Sequence, residues 1–124
     1  MPIISTFSIE LRNHLLNVAA ALSNLQVIAQ ESIGGGQFAN LADPVSVVGK
    51  FAASANGEVN FLAQESASIP IPSGKTVARV VLQSTLPNLT GPRLLCDWTG
   101  ITEEFEFGGN LIINNIRLRM VNPT

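Results

Sequence analysis

The tripeptide Gly74-Lys75-Thr76 matches the last three positions of a nucleotide-binding P-loop. The complete motif, G-x-x-x-x-G-K-[ST], needs an earlier glycine because the loop backbone must wrap closely around the phosphates. Ile69 stands where that glycine is required. The residues that follow Thr76 are β-branched and strand-like, whereas a P-loop leads into a helix. We therefore interpret Ser73-Gly74 as a turn that enters a strand, and we expect no nucleotide site.

His14 and Cys96 are the only histidine and the only cysteine in the sequence. A thiol–imidazole nucleophilic pair would have to use both residues, but neither stands in a recognisable motif. Cys96 lies in an apolar segment, where cysteine usually acts as a small hydrophobic residue. One cysteine and one histidine also provide no metal-ligand spacing. We expect no catalytic dyad, no bound metal and no internal disulfide.

Paired carboxylates are the remaining catalytic possibility, because two of them can hydrolyse a glycosidic bond. The segment EEFEF alternates, which predicts Phe105 and Phe107 inward and Glu104 and Glu106 outward. Glu104 and Glu106 then form the solvated face of a strand and Glu103 is a turn residue, so we expect no enzymatic activity. The four carboxylates in this region are Asp97, Glu103, Glu104 and Glu106.

The composition favours protein–protein assembly. Charged residues make up 13% of the 124 residues, about half the usual share of roughly 25%, and surfaces buried between subunits are depleted in charge. The alternative is a neutral monomer whose surface is rich in Ser and Asn. A net charge of −2 with scattered basic residues predicts no binding to nucleic acid or anionic membranes. No apolar run is long enough to span a bilayer, and the N-terminus lacks the pattern of a signal peptide.

An amphipathic helix is predicted near the N-terminus, from about residue 8 to about residue 25. Ser8 is a suitable N-cap, with Glu10 in the first turn. The apolar stripe is expected to pack on the domain's own sheet or, alternatively, on a neighbouring subunit. Its residues are spaced four, three, four and three apart: Leu11, Leu15, Val18, Leu22 and Leu25.

Residues 26–44 are predicted to be a Gly-rich connection. Gly34, Gly35 and Gly36 make this segment a linker or mobile arm. They do not match the G-x-G-x-x-G dinucleotide fingerprint, which lies between a strand and a helix. We therefore expect no cofactor.

Short strands follow from residue 45, at 45–53, 57–64, 75–83, 93–98 and 103–107 and in the final segment, and Asn56-Gly57 is a tight-hairpin signal. The predicted fold is mainly β: an antiparallel β-sandwich (jelly-roll-like) with one N-terminal α-helix. It forms a single domain, 1–124, with an arm and helix at 1–25, the connection at 26–44 and the sandwich at 45–124. The residues predicted to be buried are Val80, Leu82, Phe105, Phe107, Ile116, Leu118 and Met120.

The layout of helix LRNHLLNVAAAL, Gly-rich loop, β-rich body and closing segment GGNLIINNIRLRMVNP resembles the small structural proteins of tailed-bacteriophage particles. The resemblance implies a non-enzymatic virion protein, such as a capsid decoration or cement protein or a head–tail or tail surface component. Such a protein is assembled in the host bacterial cytoplasm and is present in many copies. Its partners would be further copies of itself and other virion proteins, with no nucleic acid, membrane or small-molecule substrate.

The alternative function is a small carbohydrate- or receptor-binding β-sandwich module of a tail fibre. Such a module needs exposed aromatic residues in its loops, and these loops contain mostly Gly, Pro, Ser, Asn and Leu. Trp98 is interpreted as a core or rim aromatic, with a partner-facing anchor as the alternative.

The predicted partner contacts lie in the N-terminal arm, the helix and the Gly-rich loop. The arm MPIISTF is apolar and gains roughly 25 cal/mol per Å² when it is buried. It is expected to lie in a groove of a neighbour, and the alternative is that it docks on its own sandwich as an edge strand. The candidate contact residues are Ile3, Ile4, Phe7, Leu11, Leu15, Gly34, Gly35, Gly36 and Phe38.

Overall fold

The computed structural model describes residues 8–62, 64–86, 89–114 and 116–119. Within these ranges the chain is mainly β, with antiparallel strand pairing and one N-terminal helix, as the sequence predicts. No helix in the described ranges is long and apolar enough to cross a membrane. The elements are α1 (Ile9–Ala20), β1 (Gln26–Gly34), β2 (Gln37–Asn40), β3 (Val45–Ser46), β4 (Glu58–Asn60), β5 (Ala67–Ile71), β6 (Lys75–Val77), β7 (Arg79–Thr85), β8 (Pro92–Trp98), β9 (Glu103–Phe105), β10 (Gly109–Ile113) and β11 (Arg117–Arg119).

The N-terminal helix begins as predicted and ends earlier than predicted. Ser8 is the N-cap, and its Oγ accepts a hydrogen bond from the Leu11 amide at 3.1 Å, which satisfies one of the free amides of the first turn. The helix ends at Ala20 instead of continuing to residue 25. Leu25 is fully buried, but it lies just before β1 and not on the helix.

The larger layer is a five-stranded antiparallel sheet in the order β2-β1-β7-β8, with β3 also paired to β1. Val27 pairs with Leu82 and Ala29 pairs with Val80. All four side chains are buried on the face that joins the main core, because residues directly opposite in a ladder share a face.

The prediction of a Gly-rich connection at 26–44 is wrong, because this segment forms β1, β2 and β3. Gly34 pairs with Gln37, so Gly35 and Gly36 form a two-residue hairpin turn with φ of 64° and 73°. Positive φ at both central positions is what a hairpin turn compatible with strand twist requires. The glycines therefore mark a tight turn between strands rather than a linker.

The second layer consists of three two-stranded ladders, β10-β5, β11-β4 and β6-β9. The buried residues of these ladders face those of the larger sheet, so the arrangement is sandwich-like. Pro70 lies in β5, which pairs only with β10 in the described ranges. This edge position suits a residue that has no backbone N–H.

The predicted hairpin at Asn56-Gly57 is confirmed. The two residues have φ of 53° and 75°, and Ala55 and Glu58 exchange backbone hydrogen bonds of 2.9 and 3.0 Å. The flanking strands are shorter than predicted, since residues 45–53 contribute only Val45–Ser46 as a strand. Phe51 then makes an isolated bridge to Phe61.

Four of the predicted core residues are confirmed as buried: Val80, Leu82, Ile116 and Leu118. Phe105 is half-buried and packs against the core. Phe107 is 90% exposed, so its predicted burial is wrong. Met120 lies outside the described residues.

Phe107 is exposed because the strand ends before it. Strand β9 stops at Phe105, and the Gly108 amide donates to the Phe105 carbonyl at 3.1 Å. This bond closes a tight turn with Glu106 and Phe107 at its tip. Inward–outward alternation holds only along an extended strand, so it cannot be continued from Phe105 to Phe107.

Candidate interaction surface

The Gly74-Lys75-Thr76 segment forms the turn and strand that the sequence predicts. Gly74 has φ of 77°, and Lys75 begins strand β6. The Gly74 amide donates to the Phe105 carbonyl at 2.8 Å, and Lys75 Nζ lies 3.2 Å from Glu31 Oε2. The amide and the ammonium group that a P-loop would direct at phosphate are therefore engaged within the fold.

Cys96 and His14 are not brought together. Cys96 lies on β8, and burial, with a smaller effect from the neighbouring Asp97 carboxylate, raises the pKa of its thiol. The thiol therefore stays protonated and weakly nucleophilic near neutral pH. Leu16 borders the same cavity as Cys96, whereas His14, two residues earlier, lies on nearly the opposite side of the helix. The described ranges contain no group of three or more His, Cys, Asp or Glu that could hold a metal ion.

The carboxylates of this region lie on two elements. Glu103, Glu104 and Glu106 are all exposed at the β6–β9 ladder and the turn that follows it. Asp97 lies on β8, where its Oδ2 is 3.1 Å from Arg79 Nε. The predicted exposure of Glu104 and Glu106 is confirmed, but Glu103 lies in strand β9 instead of a turn, and Glu106 lies in the turn instead of the strand.

The face of α1 that points to solvent carries an apolar stripe, which we call the outer stripe: Leu11, Leu15 and Val18. These side chains are 41%, 41% and 53% exposed. Their i, i+4, i+7 spacing places them on one face of the helix. The expectation that the predicted stripe packs on the domain's own sheet is wrong for these three residues, since Leu16 is the buried residue of the helix. The remaining two residues of the predicted stripe, Leu22 and Leu25, follow the helix and do pack in or against the core.

Two asparagines hold the opposite face of α1 against the Asn56-Gly57 hairpin. Asn13 Oδ1 accepts from the Gly57 amide at 2.8 Å, and Asn17 Oδ1 accepts from the Ser54 amide at 2.9 Å. Ser54 Oγ also donates to the Asn13 carbonyl at 2.8 Å. Rolling the helix to bury the outer stripe would break these bonds, each of which contributes about 1 kcal/mol.

Sequence reasoning missed the role of Asn13 and Asn17. The available signal was their i, i+4 spacing on the side of the helix opposite the leucines. Small polar residues at such spacing can accept hydrogen bonds from a neighbouring turn. The partner amides lie about forty residues further along the chain, so no local pattern identifies them.

The other predicted contact residues lie on the β1–β2 hairpin. Gly34, Gly35 and Gly36 are exposed at its tip, and a Cβ added at any of the three would meet no atom within 4 Å. Phe38 is half-buried, and the Arg79 guanidinium lies 4.7 Å from its ring centroid. Phe38 is thus engaged in a cation–π contact within the chain.

The hairpin tip and the helix are separate surfaces. Leu16 borders the same cavity as Leu82, and Leu82 pairs with Val27 near the start of β1. From Val27 to the hairpin tip at Gly34 the strand extends about 23 Å. Leu11 and Leu15 therefore do not form one patch with the glycines, and the arm candidates Ile3, Ile4 and Phe7 lie outside the described residues.

A cavity of about 250 Å³ opens between α1, β8 and β11, and we call it the helix groove. Leu16, Leu82 and Leu118 supply apolar walls, and Arg117 and Arg119 lie at its β11 side. Arg119 Nε is 3.0 Å from Glu58 Oε1, and Arg117 Nε is 3.8 Å from Glu58 Oε2. One carboxylate therefore faces two guanidinium groups, each belonging to a side chain that is 56% exposed.

Trp98 lies at the rim of two cavities. It borders the helix groove and a smaller apolar cavity of about 160 Å³ that Ile101 and Leu111 also line. Its side chain is half-buried and packs against the core. This is the rim position that the sequence interpretation favours.

The largest groove in the described part of the chain has a volume of about 800 Å³ and lies between residues 40–45 and residues 70–72. Its described lining contains no aromatic residue. Ligand sites are commonly lined by aromatic side chains on which a ring can stack. This groove therefore offers no stacking surface for a sugar ring.

Comparisons of the chain with protein-family models, with curated proteins and with solved structures find no match.

Proposed function

We propose that this chain is a non-enzymatic structural protein of a phage particle, most simply a capsid decoration or cement protein or a head–tail or tail surface component. It acts by packing against protein neighbours, including further copies of itself and other virion proteins. The observation that carries this proposal is the outer stripe of α1, formed by Leu11, Leu15 and Val18. The assignment to a phage particle is supported by the resemblance in layout described above.

The outer stripe supports a protein contact because the fold holds it in solvent. Three hydrogen bonds from Asn13, Asn17 and Ser54 fix the opposite face of the helix. The stripe therefore cannot be buried by a small rotation of the helix, and an apolar surface of the neighbouring subunit is proposed to cover it. Spacing of i, i+4, i+7 is also the spacing of helix-pairing seams.

The low charge supports the same proposal. Only 13% of residues are charged, and interface cores are depleted in Lys, Glu and Asp relative to other surfaces. A particle component that is surrounded by neighbours needs less charge for solubility than a free monomer does.

The tail-fibre alternative has weaker support. A carbohydrate-binding module needs a concave site with aromatic and polar groups, and the largest described groove has no aromatic lining. We therefore retain the structural role as the proposal.

The outer stripe can be tested by replacing Leu15 with Ser and measuring the mass of the purified chain by light scattering. We expect the wild-type chain to form a defined oligomer at micromolar concentration and Leu15→Ser to lower the mass. Ile112→Ser is a matched control, because Ile112 is 55% exposed on β10 and does not border the helix groove. Unchanged mass for Leu15→Ser would contradict the role of the stripe.

The virion assignment needs a separate test. Gold-labelled antibody against the chain should bind phage particles that are purified from a lysed bacterial culture, where the phage genome encodes the chain. Particles that contain other virion proteins but carry no label, with none of the chain detected by mass spectrometry, would overturn the assignment.

A further inference from the structure

Phe107 is an aromatic side chain that the fold holds out in water. It is 90% exposed and sits at the tip of the turn closed by the Gly108 amide and the Phe105 carbonyl. The Gly74 amide donates to the carbonyls of Phe105 and Glu106 at 2.8 and 3.2 Å. The turn is therefore tied to the neighbouring strand connection rather than hanging free.

The backbone around this turn also leaves little room for movement. A Cβ on Gly108 would lie 3.3 Å from the Ile71 carbonyl oxygen and 3.3 Å from the Ser73 amide nitrogen. The residue after Phe107 thus packs directly against another segment of backbone. Because these contacts already hold the turn in place, its backbone loses little further entropy when the aromatic ring binds a partner. This is a property of binding hot spots.

The surroundings of Phe107 are acidic. Glu103, Glu104 and Glu106 are exposed beside it, and Lys75, the basic residue opposite Phe105 in the ladder, is paired with Glu31 at 3.2 Å. A surface that receives this turn should therefore combine an apolar cavity with an excess of positive charge.

The helix groove has both properties. Its volume is about 250 Å³, and a cavity of about 150 Å³ is enough to hold a benzene ring. Arg117 and Arg119 lie at the β11 side of the groove and share one carboxylate, Glu58, whereas Asp97, which also borders the groove, is paired with Arg79 outside it. The β11 side of the groove therefore carries one positive charge in excess, opposite in sign to the charge around Phe107.

We propose that Phe107 of one copy inserts into the helix groove of a second copy, with Glu104 and Glu106 facing Arg117 and Arg119 of that copy. The proposal deepens the proposed function, since it rests on the chain being a self-assembling structural protein and names one contact of that assembly. In this proposal each copy offers its turn to one neighbour and its groove to another neighbour. The association is then head-to-tail, and it builds rings or filaments instead of a two-fold dimer.

Two variants each remove one half of the contact. Phe107→Ala removes the ring and leaves the groove intact, whereas Arg119→Glu reverses a charge at the groove and leaves the turn intact. Both variants are made in the Leu15→Ser background, so that the outer stripe does not contribute to association. We expect each variant alone to be monomeric in sedimentation velocity, with association weakened by about 30-fold or more, the loss typical of a hot-spot residue. Ile112→Ala and Arg93→Glu are matched controls, because both residues are exposed and lie outside the groove and the turn.

Mixing the two variants gives the decisive result. Phe107→Ala still has an intact groove and Arg119→Glu still has an intact turn, so an equimolar mixture should form a complex of one chain of each kind and grow no further. Native mass spectrometry identifies this complex by the summed mass of the two different chains. A reciprocal two-fold contact is recognised in the wild-type chain, which would stop at a dimer instead of forming rings or filaments.

Three results would overturn the proposal: a monomeric wild-type chain at about 100 µM, wild-type association in Phe107→Ala, or no mixed complex from two folded variants. If Arg119→Glu loses its thermal unfolding transition because of repulsion with Glu58, Arg119→Gln takes its place. An oligomer that survives Phe107→Ala but is lost in Leu15→Ser would refute the head-to-tail contact and leave the proposed function intact. Unlabelled phage particles would refute the virion assignment without affecting the head-to-tail contact.

Discussion

Replacement by alanine should destabilise the chain much more at Leu16 than at the adjacent Leu15. The two leucines have the same chemistry and the same helical context, so helix propensity contributes equally to both substitutions. Leu16 is 6% exposed and belongs to the core, whereas Leu15 is 41% exposed on the outer stripe. The difference between the two variants therefore isolates the side of α1 that packs on the domain.

The expected magnitudes follow from these environments. Replacing a buried leucine by alanine costs about 2–5 kcal/mol, and the cost rises with the volume of the cavity left behind. Leu16 borders the open helix groove, so part of the new space joins solvent, and we expect about 2–3 kcal/mol for Leu16→Ala. For Leu15→Ala, where much of the side chain is already in water, we expect less than about 1 kcal/mol.

Urea unfolding followed by circular dichroism measures both values, and it should be carried out at two protein concentrations. Since Leu16 packs within its own chain, the loss for Leu16→Ala should already be present at the lower concentration. Any loss for Leu15→Ala should grow with concentration if the outer stripe is an interface. Equal losses for the two variants at low concentration, or a larger loss for Leu15→Ala, would refute the assigned orientation of the helix.

Three further outcomes are expected. Phe107→Ala should change the free energy of unfolding of the monomer by less than about 0.5 kcal/mol in urea unfolding, because the ring is exposed. Leu82→Ala should cost about 2–5 kcal/mol, and comparable losses for the two variants would mean that Phe107 is buried. Gly108→Ala should lower thermal stability more than Gly35→Ala, because both positions have positive φ but only Gly108 also meets backbone atoms; equal melting temperatures would contradict the close approach. Cys96 should make the free energy of unfolding fall in alkaline solution, because the pKa of its thiol is raised in the folded chain. The contribution of the protonated thiol to stability is complete below the ordinary thiol pKa and is lost as the pH rises through the pKa in the folded chain. Cys96→Ser should therefore reduce the slope of the unfolding free energy against alkaline pH, and an unchanged slope would contradict this.

Features that depend on a few neighbouring residues were predictable from the sequence. Ser8 caps the helix because its own hydroxyl reaches the amide of Leu11. Asn56-Gly57 forms a hairpin turn because both residues tolerate positive φ. In the last strand, Leu118 is buried while Arg117 and Arg119 are exposed, because successive side chains of a strand point to opposite faces. Each of these outcomes is decided within a few residues.

Residues 26–44 show where a local signal is ambiguous. Three consecutive glycines are compatible with a flexible linker and with a hairpin turn, and the glycines themselves do not distinguish them. The strand that precedes them is recognisable once Val27 and Ala29 are paired with Leu82 and Val80, which lie more than fifty residues away. That pairing buries the segment in the main core, and burial of this kind stabilises a strand that its own composition does not require.

The sequence by itself determined the fold class, the helix start, the tight turns and the alternation of the buried strands, because dihedral preferences and side-chain periodicity act over short distances. Only the tertiary structure decided which face of α1 is outside and whether Phe107 is inside. The leucine stripe has the same periodicity wherever the helix docks. The orientation is selected by the hydrogen bonds that Asn13 and Asn17 accept from the amides of Gly57 and Ser54. Likewise, strand β9 ends at Phe105 because the Gly74 amide donates to the Phe105 carbonyl and Gly108 packs closely on Ile71. The Phe107 side chain then points into solvent. The surfaces proposed for assembly are therefore products of long-range contacts, which a local pattern cannot contain.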